Sequence, residues 1–309
     1  MVVDSLVKQY KRFTALDGVS FSIPRGSIYG FLGPNGAGKT TTLRILAALL
    51  LPTQGGAWVA GEDVIRKPER ARRRFGYMPD FFGVYDDLTV REYLEFYAQA
   101  HGVPGTQWRK LTDDLLELVD LGNKRDDFVE TLSRGMKQRL GLARCLVHDP
   151  EVLLLDEPAS GLDPRARVEM REVLKEISRM NKTVLVSSHI LPELADLSTE
   201  VGIIHRGRMV ASGSVESIMT RLGATRVLEV RVLDGAEAAG RLLAGQPGVR
   251  NVETLPEEGL VRAAFSGGNE EQADVLKNLQ EGGIRVVSFN TVGGLEELFM
   301  ALTEEESQP

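Results

Sequence analysis

One eight-residue segment constrains the fold of this chain more than any other feature. Residues Gly33–Thr40 read Gly-Pro-Asn-Gly-Ala-Gly-Lys-Thr and match the pattern G-x-x-x-x-G-K-[ST]. The apolar residues 27–32 before it predict a buried strand, and Thr40–Leu50 predict a helix. Glycines allow backbone N–H groups to turn towards an anion at a helix N-terminus. The segment therefore predicts a strand, a loop and a helix that together hold a phosphate.

Different residues of the loop are expected to bind the nucleotide and its metal ion. Lys39 is expected to reach the β- and γ-phosphates, and the Thr40 hydroxyl to ligate Mg²⁺, with Thr41 beside it. The alternative is a glycine-rich turn with a chance lysine, which the flanking strand and helix disfavour. The residues expected at the nucleotide are Gly33, Asn35, Gly36, Ala37, Gly38, Lys39, Thr40 and Thr41.

A second segment ends an apolar strand in two adjacent carboxylates. Residues 151–155 predict a buried parallel strand, and Asp156 and Glu157 follow it. Beside a phosphate loop, Asp156 is expected to hold Mg²⁺ through water, and Glu157 to polarise the attacking water as a general base. Without the loop, a strand that ends in a solvated acidic turn would explain the same residues equally well.

Composition narrows the possible classes of function. The length of 309 residues suggests two domains at about 150 residues each. The 37 basic and 44 acidic residues give a formal charge of −7, so a strongly basic nucleic-acid binder is not expected. The single cysteine, Cys145, excludes a disulfide or a cysteine-rich zinc site within one chain. Because no run of about 20 apolar residues occurs, we expect a soluble chain without a transmembrane segment.

The pattern of predicted elements changes near residue 222. Up to that point, strands alternate with helices and predict an α/β domain, residues 1–222, with a largely parallel sheet and a helical subdomain over about 84–150. Residues 223–309 predict the order βαββαβ, a small ferredoxin-like α+β accessory domain. A closing helix is predicted over residues 294–302.

Taken in order, these motifs resemble the nucleotide-binding subunits of ABC transporters, over residues 4–221. Residues Leu132–Arg139 are similar to the family signature, commonly Leu-Ser-Gly-Gly-Gln. The resemblance implies that Ser133 and Gly135 face the γ-phosphate bound by the opposite subunit. The site would then be complete only in a head-to-tail homodimer. Taken alone, the segment is an ordinary serine-capped helix.

The same resemblance gives roles to three further residues. Tyr10 lies where the family places an aromatic ring on adenine, although it could instead pack within a strand. Asp163, in Ser160-Gly161-Leu162-Asp163, matches the loop that links the two sites across the dimer, and it also suits a helix N-cap. His189 matches the histidine that orients the attacking water and contacts the γ-phosphate, although a lone histidine after a strand is more often structural.

Two positions depart from the family pattern. Asp80 stands where glutamine usually contacts Mg²⁺ and water, and we expect its carboxylate still to ligate the metal. In the signature, Arg134 replaces a glycine and Met136 a glutamine. This variant signature and the C-terminal extension resemble the branch that serves exporters with a separate membrane subunit.

The resemblance implies an ATP-hydrolysing subunit that uses ATP and Mg²⁺ and couples dimer closure to export through a separate transmembrane permease. Such a chain would be peripheral, at the cytoplasmic face of the cell membrane, and would have no direct nucleic-acid partner. A non-transport ABC ATPase acting on DNA or ribosomes is the alternative, disfavoured because the chain has one cassette and because residues 41–131 have no sustained heptads. A P-loop kinase or GTPase is a third class, and a GTPase is not expected, since it would want a guanine-specifying Asn-Lys-x-Asp segment.

Overall fold

The computed structural model describes residues 1–292 except 82, 84, 86, 191–193, 195, 196, 215, 216 and 219–225. The chain divides into two compact units, residues 1–214 and 215–309. The division therefore falls between residues 214 and 215, where the sequence predicted it between 222 and 223. The closing helix predicted over residues 294–302 lies outside the described residues.

The first unit contains two sheets. Its described strands are β1 (Val2–Tyr10), β2 (Phe13–Ser22), β3 (Ile28–Leu32), β4 (Gln54–Val59), β5 (Glu62–Asp63), β6 (Phe75–Met78), β7 (Val152–Asp156), β8 (Thr183–Ser188), β9 (Glu200–His205) and β10 (Arg208–Gly213). Its described α-helices are α1 (Lys39–Leu46), α2 (Pro68–Arg72), α3 (Val90–Ala100), α4 (Gly105–Leu118), α5 (Arg134–Leu146) and α6 (Pro164–Arg179).

The larger sheet has the order β10-β9-β3-β8-β7-β6. Its pairings are parallel except that of β10 with β9, which is antiparallel. Every residue of β3, β7 and β8 is buried, as expected for strands covered on both faces. The predicted, largely parallel sheet is confirmed, and its strands β3 and β7 end at the phosphate loop and at the paired carboxylates.

The smaller sheet, β2-β1-β4-β5, is antiparallel and was not predicted from the sequence. A shared apolar core joins it to the larger sheet, with Leu6 and Leu16 from one side and Phe31 from the other. Phe21 of β2 stacks on Tyr29 of β3, with ring centroids 5.4 Å apart. This packing fixes the β1–β2 hairpin beside the phosphate loop.

Local capping explains where several helices begin. Thr89 and Glu92 form the predicted capping box at α3, and Asp163 caps α6 with Pro164 at its first position. Helix α1 is shorter than predicted: it ends at Leu46 rather than at residue 50. Ala48 adopts a left-handed backbone with φ +53°, which a continuing α-helix does not allow.

The second unit has the element order β-α-β-β-α-β. Its described elements are β11 (Arg226–Val232), α7 (Ala236–Ala244), β12 (Val249–Leu255), β13 (Leu260–Phe265), α8 (Asn269–Glu281) and β14 (Val286–Val292). The strands form an antiparallel sheet in the order β12-β13-β11-β14. Leu228 and Val230 of β11 pack in one cluster with Leu243 of α7 and Leu279 of α8. Both helices therefore cover the same face of the sheet.

Candidate nucleotide-binding site

The phosphate loop lies between β3 and α1, where the sequence placed it. Gly36 and Gly38 have φ values of +83° and +113°, which residues with a Cβ rarely adopt. A Cβ on Gly38 would also lie 2.7 Å from Leu16 Cδ2 and 2.9 Å from the Ala15 carbonyl oxygen. Among the described residues, no side chain caps α1. Its first N–H groups therefore remain available to an anion, as the helix dipole favours.

Lys39 is buried and points back along the loop. Its Nζ donates to the carbonyl oxygens of Gly33, at 2.5 Å, and Pro34, at 3.2 Å. It also lies 3.2 Å from Glu157 Oε1, in an ion pair whose side chains are 5% and 12% exposed. The ammonium is thus held between the loop and the predicted general base.

The register of two parallel strands organises the carboxylates. Asp156 of β7 pairs with Ser187 of β8. The Ser187 hydroxyl donates to Asp156 Oδ1 at 2.7 Å and accepts from the Glu157 backbone N–H at 3.0 Å. One serine therefore orients both predicted acids, a role that the sequence analysis missed. The signal for it was a hydroxyl on a neighbouring parallel strand at the same level as Asp156.

Asp156 is suited to a divalent cation. Its carboxylate is fully buried, and its Oδ2 makes no hydrogen bond among the described residues. Burial raises the pKa of Asp156; hydrogen bonds from Ser187 and Thr40 lower it, and the charges of Asp80 and Glu157 raise it. An unpartnered carboxylate oxygen beside a threonine hydroxyl and a second carboxylate fits Mg²⁺, which prefers hard oxygen ligands.

Glu157 links the loop to the histidine. Its Oε1 faces Lys39, and its Oε2 lies 2.7 Å from His189 Nδ1. Its backbone φ is +50°, in the left-handed region that residues other than glycine seldom occupy. Such strained conformations occur at functional sites, where the surrounding structure holds them in place.

Most of the predicted residues line one cavity of about 360 Å³, within the usual size range of small-molecule sites. The predicted residues that do not line it are Tyr10, Gly33, Ala37, Ser133, Gly135, Asp156 and Asp163. The cavity is lined by Phe13, Ala15, Pro34, Asn35, Gly36, Gly38, Lys39, Thr40, Thr41, Asp80, Glu157, Ser160 and His189.

The aromatic ring at this cavity belongs to Phe13 rather than Tyr10. Phe13 is 61% exposed, and it pairs directly with Tyr10 across the two-residue turn between β1 and β2. The Tyr10 ring instead lies under Lys8, whose Nζ is 4.9 Å from the ring centroid. The signal that could have identified Phe13 is the pair of aromatic residues on either side of a turn, which share one face of a hairpin.

The residues of the signature and the linking loop lie at helix N-termini. Ser133 Oγ accepts from the Met136 N–H at 3.3 Å and caps α5; Asp163 Oδ1 accepts from the Ala166 N–H at 2.9 Å and caps α6. Gly135 packs closely on α6, since a Cβ there would lie 3.0 Å from Ala166 Cβ. Ser133, Gly135 and Asp163 do not line the cavity.

The sequence analysis missed an Asn-Lys-x-Asp segment, which occurs at Asn123–Asp126. The structure places it in a short 3-10 turn after α4, and none of its residues lines the cavity. Lys124 pairs with Asp127 at 2.7 Å, and Asp126 pairs with Arg91 at 3.0 Å. These ion pairs give the segment a local structural role, so it does not indicate a guanine site.

Comparison with known proteins decides the family. Residues 16–160 match the family described as ABC transporter. The daunorubicin/doxorubicin resistance ATP-binding protein DrrA of Streptomyces peucetius is 35% identical over 301 residues, which cover 96% of this chain and 90% of that protein. The chain belongs to the ABC transporter family of ATP-binding proteins. The Nod factor export ATP-binding protein I of Ralstonia nicotianae is 41% identical over 228 residues, 74% of this ABC protein and 71% of that relative.

A solved structure, described as an ATP binding subunit of an ABC transporter, has the same fold. It is 31% identical, covers 72% of this ABC protein and 92% of its own chain, and superposes with a TM-score of 0.65. The predicted P-loop ATPase fold and ATP as the bound nucleotide are thereby confirmed, and the chain is an ABC-type ATPase. Among the described residues, no helix combines the length and apolar character needed to cross a membrane.

Proposed function

We propose that this ABC ATPase couples ATP-driven closure of a head-to-tail homodimer to export through a separate transmembrane subunit. The observation that carries the proposal is the division of the site. Lys39, Glu157 and His189 share one cavity, whereas Ser133 and Gly135 lie at the N-terminus of α5 and do not line it. A second copy that presents its own α5 N-terminus to this cavity would supply the missing phosphate donors.

Hydrolysis in this proposal uses the contacts around Glu157. Glu157 accepts a proton from the attacking water, and the hydrogen bond to His189 holds its carboxylate in place. Lys39 exchanges the Gly33 carbonyl and Glu157 for phosphate oxygens. Thr40, Asp156 and Asp80 are the residues that would hold Mg²⁺, which would neutralise the charge developing on those oxygens.

Exposed aromatic residues that follow Asp80 in the sequence are the proposed contact for the membrane subunit. Phe81 is 88% exposed and follows Asp80 of the cavity. Tyr85 and Phe96, also exposed, pack edge to face with ring centroids 5.3 Å apart. Exposed aromatic clusters of this kind are typical of protein interfaces. The contact would hold the chain at the cytoplasmic face of the cell membrane.

The relatives support export rather than action on DNA or ribosomes. The printed names of the two relatives above refer to Nod factor export and drug resistance. The match to DrrA spans nearly the whole chain and so includes the second unit. We propose a ferredoxin-like fold for that unit, supported by its element order and by two helices on one face of the sheet. Its proposed role is to strengthen the dimer.

Affinity purification tests this function directly. Glu157→Gln protein, which we expect to retain ATP, would be isolated from gently solubilised membranes in the presence of ATP and Mg²⁺. We expect a polytopic membrane protein to co-purify in stoichiometric amount and ATP to convert the chain from monomer to dimer in light scattering. Co-purification of ribosomes or DNA instead would favour the non-transport alternative. Lys39→Ala protein, in which ATP binding is weakened, is the matched control.

A further inference from the structure

The arginine that departs from the family signature makes a specific contact within its own chain. Arg134 is the first residue of α5 and follows the Ser133 cap. Its Nη2 donates to the Ser160 carbonyl oxygen at 3.1 Å, across 26 residues of sequence. The guanidinium therefore points away from the start of α5 and towards the loop that precedes α6.

The contact depends on a glycine in that loop. Gly161 has φ +67°, and a Cβ there would lie 2.5 Å from Nη2 and 2.6 Å from Nη1 of Arg134. The planar guanidinium thus lies against the glycine backbone, in space that any side chain would fill. A flat, charged group with several donors suits this position better than an ammonium would.

The loop is continuous with the general base. The Ser160 N–H donates to the Glu157 carbonyl oxygen at 3.0 Å, so residues 157–160 form a hydrogen-bonded turn. Glu157 begins this turn with a strained φ of +50°, and Ser160 lines the nucleotide cavity. A donor that fixes the Ser160 carbonyl therefore restrains the turn that carries Glu157.

We propose that Arg134 is a positioning residue, which ties the N-terminus of α5 to the turn that holds Glu157. The two ends of this tie serve different sites, because Ser133 and Gly135 face the partner's nucleotide in the head-to-tail dimer. Arg134 thereby links phosphate contact at one site to the geometry of the base at the other. This linkage rests on the proposed homodimer, whereas the tie itself is a property of one chain. In the dimer, removal of water from the interface would strengthen the bond.

The tie is tested first in the isolated chain without nucleotide, by amide hydrogen exchange over residues 157–163. We expect exchange at Ser160 and Leu162 to accelerate about five- to tenfold in Arg134→Ala, the loss of one charge-assisted hydrogen bond. Arg134→Lys should restore part of the protection. Arg165→Ala is the matched control, because Arg165 is an exposed arginine near the same loop that pairs within α6 with Glu169 at 3.0 Å. Unchanged exchange in Arg134→Ala would overturn the proposal.

The kinetic test separates positioning from a direct phosphate contact. For Arg134→Ala we expect kcat to fall about five- to tenfold, with KM for ATP within about twofold of the original and a lower Hill coefficient. An increase in KM at unchanged kcat would mean that Arg134 binds phosphate itself, and would overturn the proposal. ATP-dependent dimerisation of Glu157→Gln, measured with and without Arg134→Ala, distinguishes the proposed linkage between the two sites from the contact within one chain. Failure of Glu157→Gln alone to dimerise would count against the proposed homodimer and hence against the linkage. The exchange result would still decide whether Arg134 restrains the turn that carries Glu157.

Discussion

Lys39 and Glu157 form an ion pair inside the nucleotide cavity, with Nζ 3.2 Å from Oε1. The same carboxylate contacts His189 through its other oxygen. The predicted phosphate-binding cation and the predicted general base therefore neutralise each other, and we expect each to change partner when a triphosphate binds. This relationship makes nucleotide affinity and hydrolysis depend on the same carboxylate in opposite ways.

Glu157→Gln should separate binding from hydrolysis. Loss of the base is expected to lower kcat by about 10²–10⁴-fold. ATP affinity should rise, because Lys39 loses a competing anion while the amide keeps the size of the side chain. Steady-state ATPase assays and fluorescence titration with a labelled nucleotide measure the two effects. Glu151→Gln, at a surface ion pair with Arg25 at 2.8 Å, is the control, and a loss of activity there would contradict this explanation.

Asp80→Gln should change the metal requirement. Asp80 lies at the cavity, and its charge contributes to the raised pKa of Asp156, so the two carboxylates interact. Removing one negative charge should raise the Mg²⁺ concentration for half-maximal ATPase by about three- to tenfold, because Mg²⁺ is attracted by carboxylate charge. Asp126→Asn, in the helical subdomain, should leave the titration curve unchanged. Identical curves for Asp80→Gln and the original protein would rule out a role for Asp80 at the metal.

Phe13→Ala should weaken nucleotide binding more than Tyr10→Ala. Phe13 lines the cavity, whereas Tyr10 lies beside it on the same hairpin. Loss of a base-stacking ring is expected to raise the Kd for ATP by about fivefold or more, with little discrimination between ATP and GTP. Isothermal titration of both variants with each nucleotide measures this. A larger effect from Tyr10→Ala would instead identify Tyr10 as the stacking residue, as the family resemblance implies.

His148 should make the first unit sensitive to acid. Its ring stacks on His101, with centroids 4.0 Å apart, and its Nε2 donates to the Phe75 carbonyl oxygen at 3.0 Å. Burial and the neighbouring His101 lower the pKa of His148 to about 4, from an ordinary value of 6.5. The unfolded chain therefore binds a proton at this histidine before the folded chain does. The stability contributed by the site is present above pH 6.5 and is lost as the pH falls towards about 4.

The contribution of His148 to this acid sensitivity can be isolated with His148→Gln, which keeps a donor for the Phe75 carbonyl oxygen and removes the titrating group. Urea unfolding at about pH 7 and about pH 5 should show a smaller loss of free energy of unfolding for this variant. Equal losses in the two proteins would assign the acid sensitivity to other groups.

Besides the largely parallel sheet, the features that the sequence predicted correctly are local ones. The phosphate loop follows from Gly36 and Gly38, because a positive φ at each position favours glycine whatever the rest of the chain does. The starts of α3 and α6 follow from Thr89 and Asp163, whose side chains bond backbone groups only three residues away. Even so, the left-handed Ala48 ended α1 early, and nothing in the local pattern indicated it.

Contacts between segments that are distant in the sequence could be identified only from the tertiary structure. Ser187 reaches Asp156 across 31 residues because β7 and β8 pair in one particular register, and a shift of one residue would turn the hydroxyl to the other face. Phe13 reaches the cavity because the antiparallel sheet packs beside the phosphate loop. Arg134 reaches Ser160 because α5 and the loop before α6 meet in space. The sequence by itself determined which residues could bind phosphate and metal, since that depends on side-chain chemistry and local backbone. The packing of separated elements decided which neighbours orient those residues.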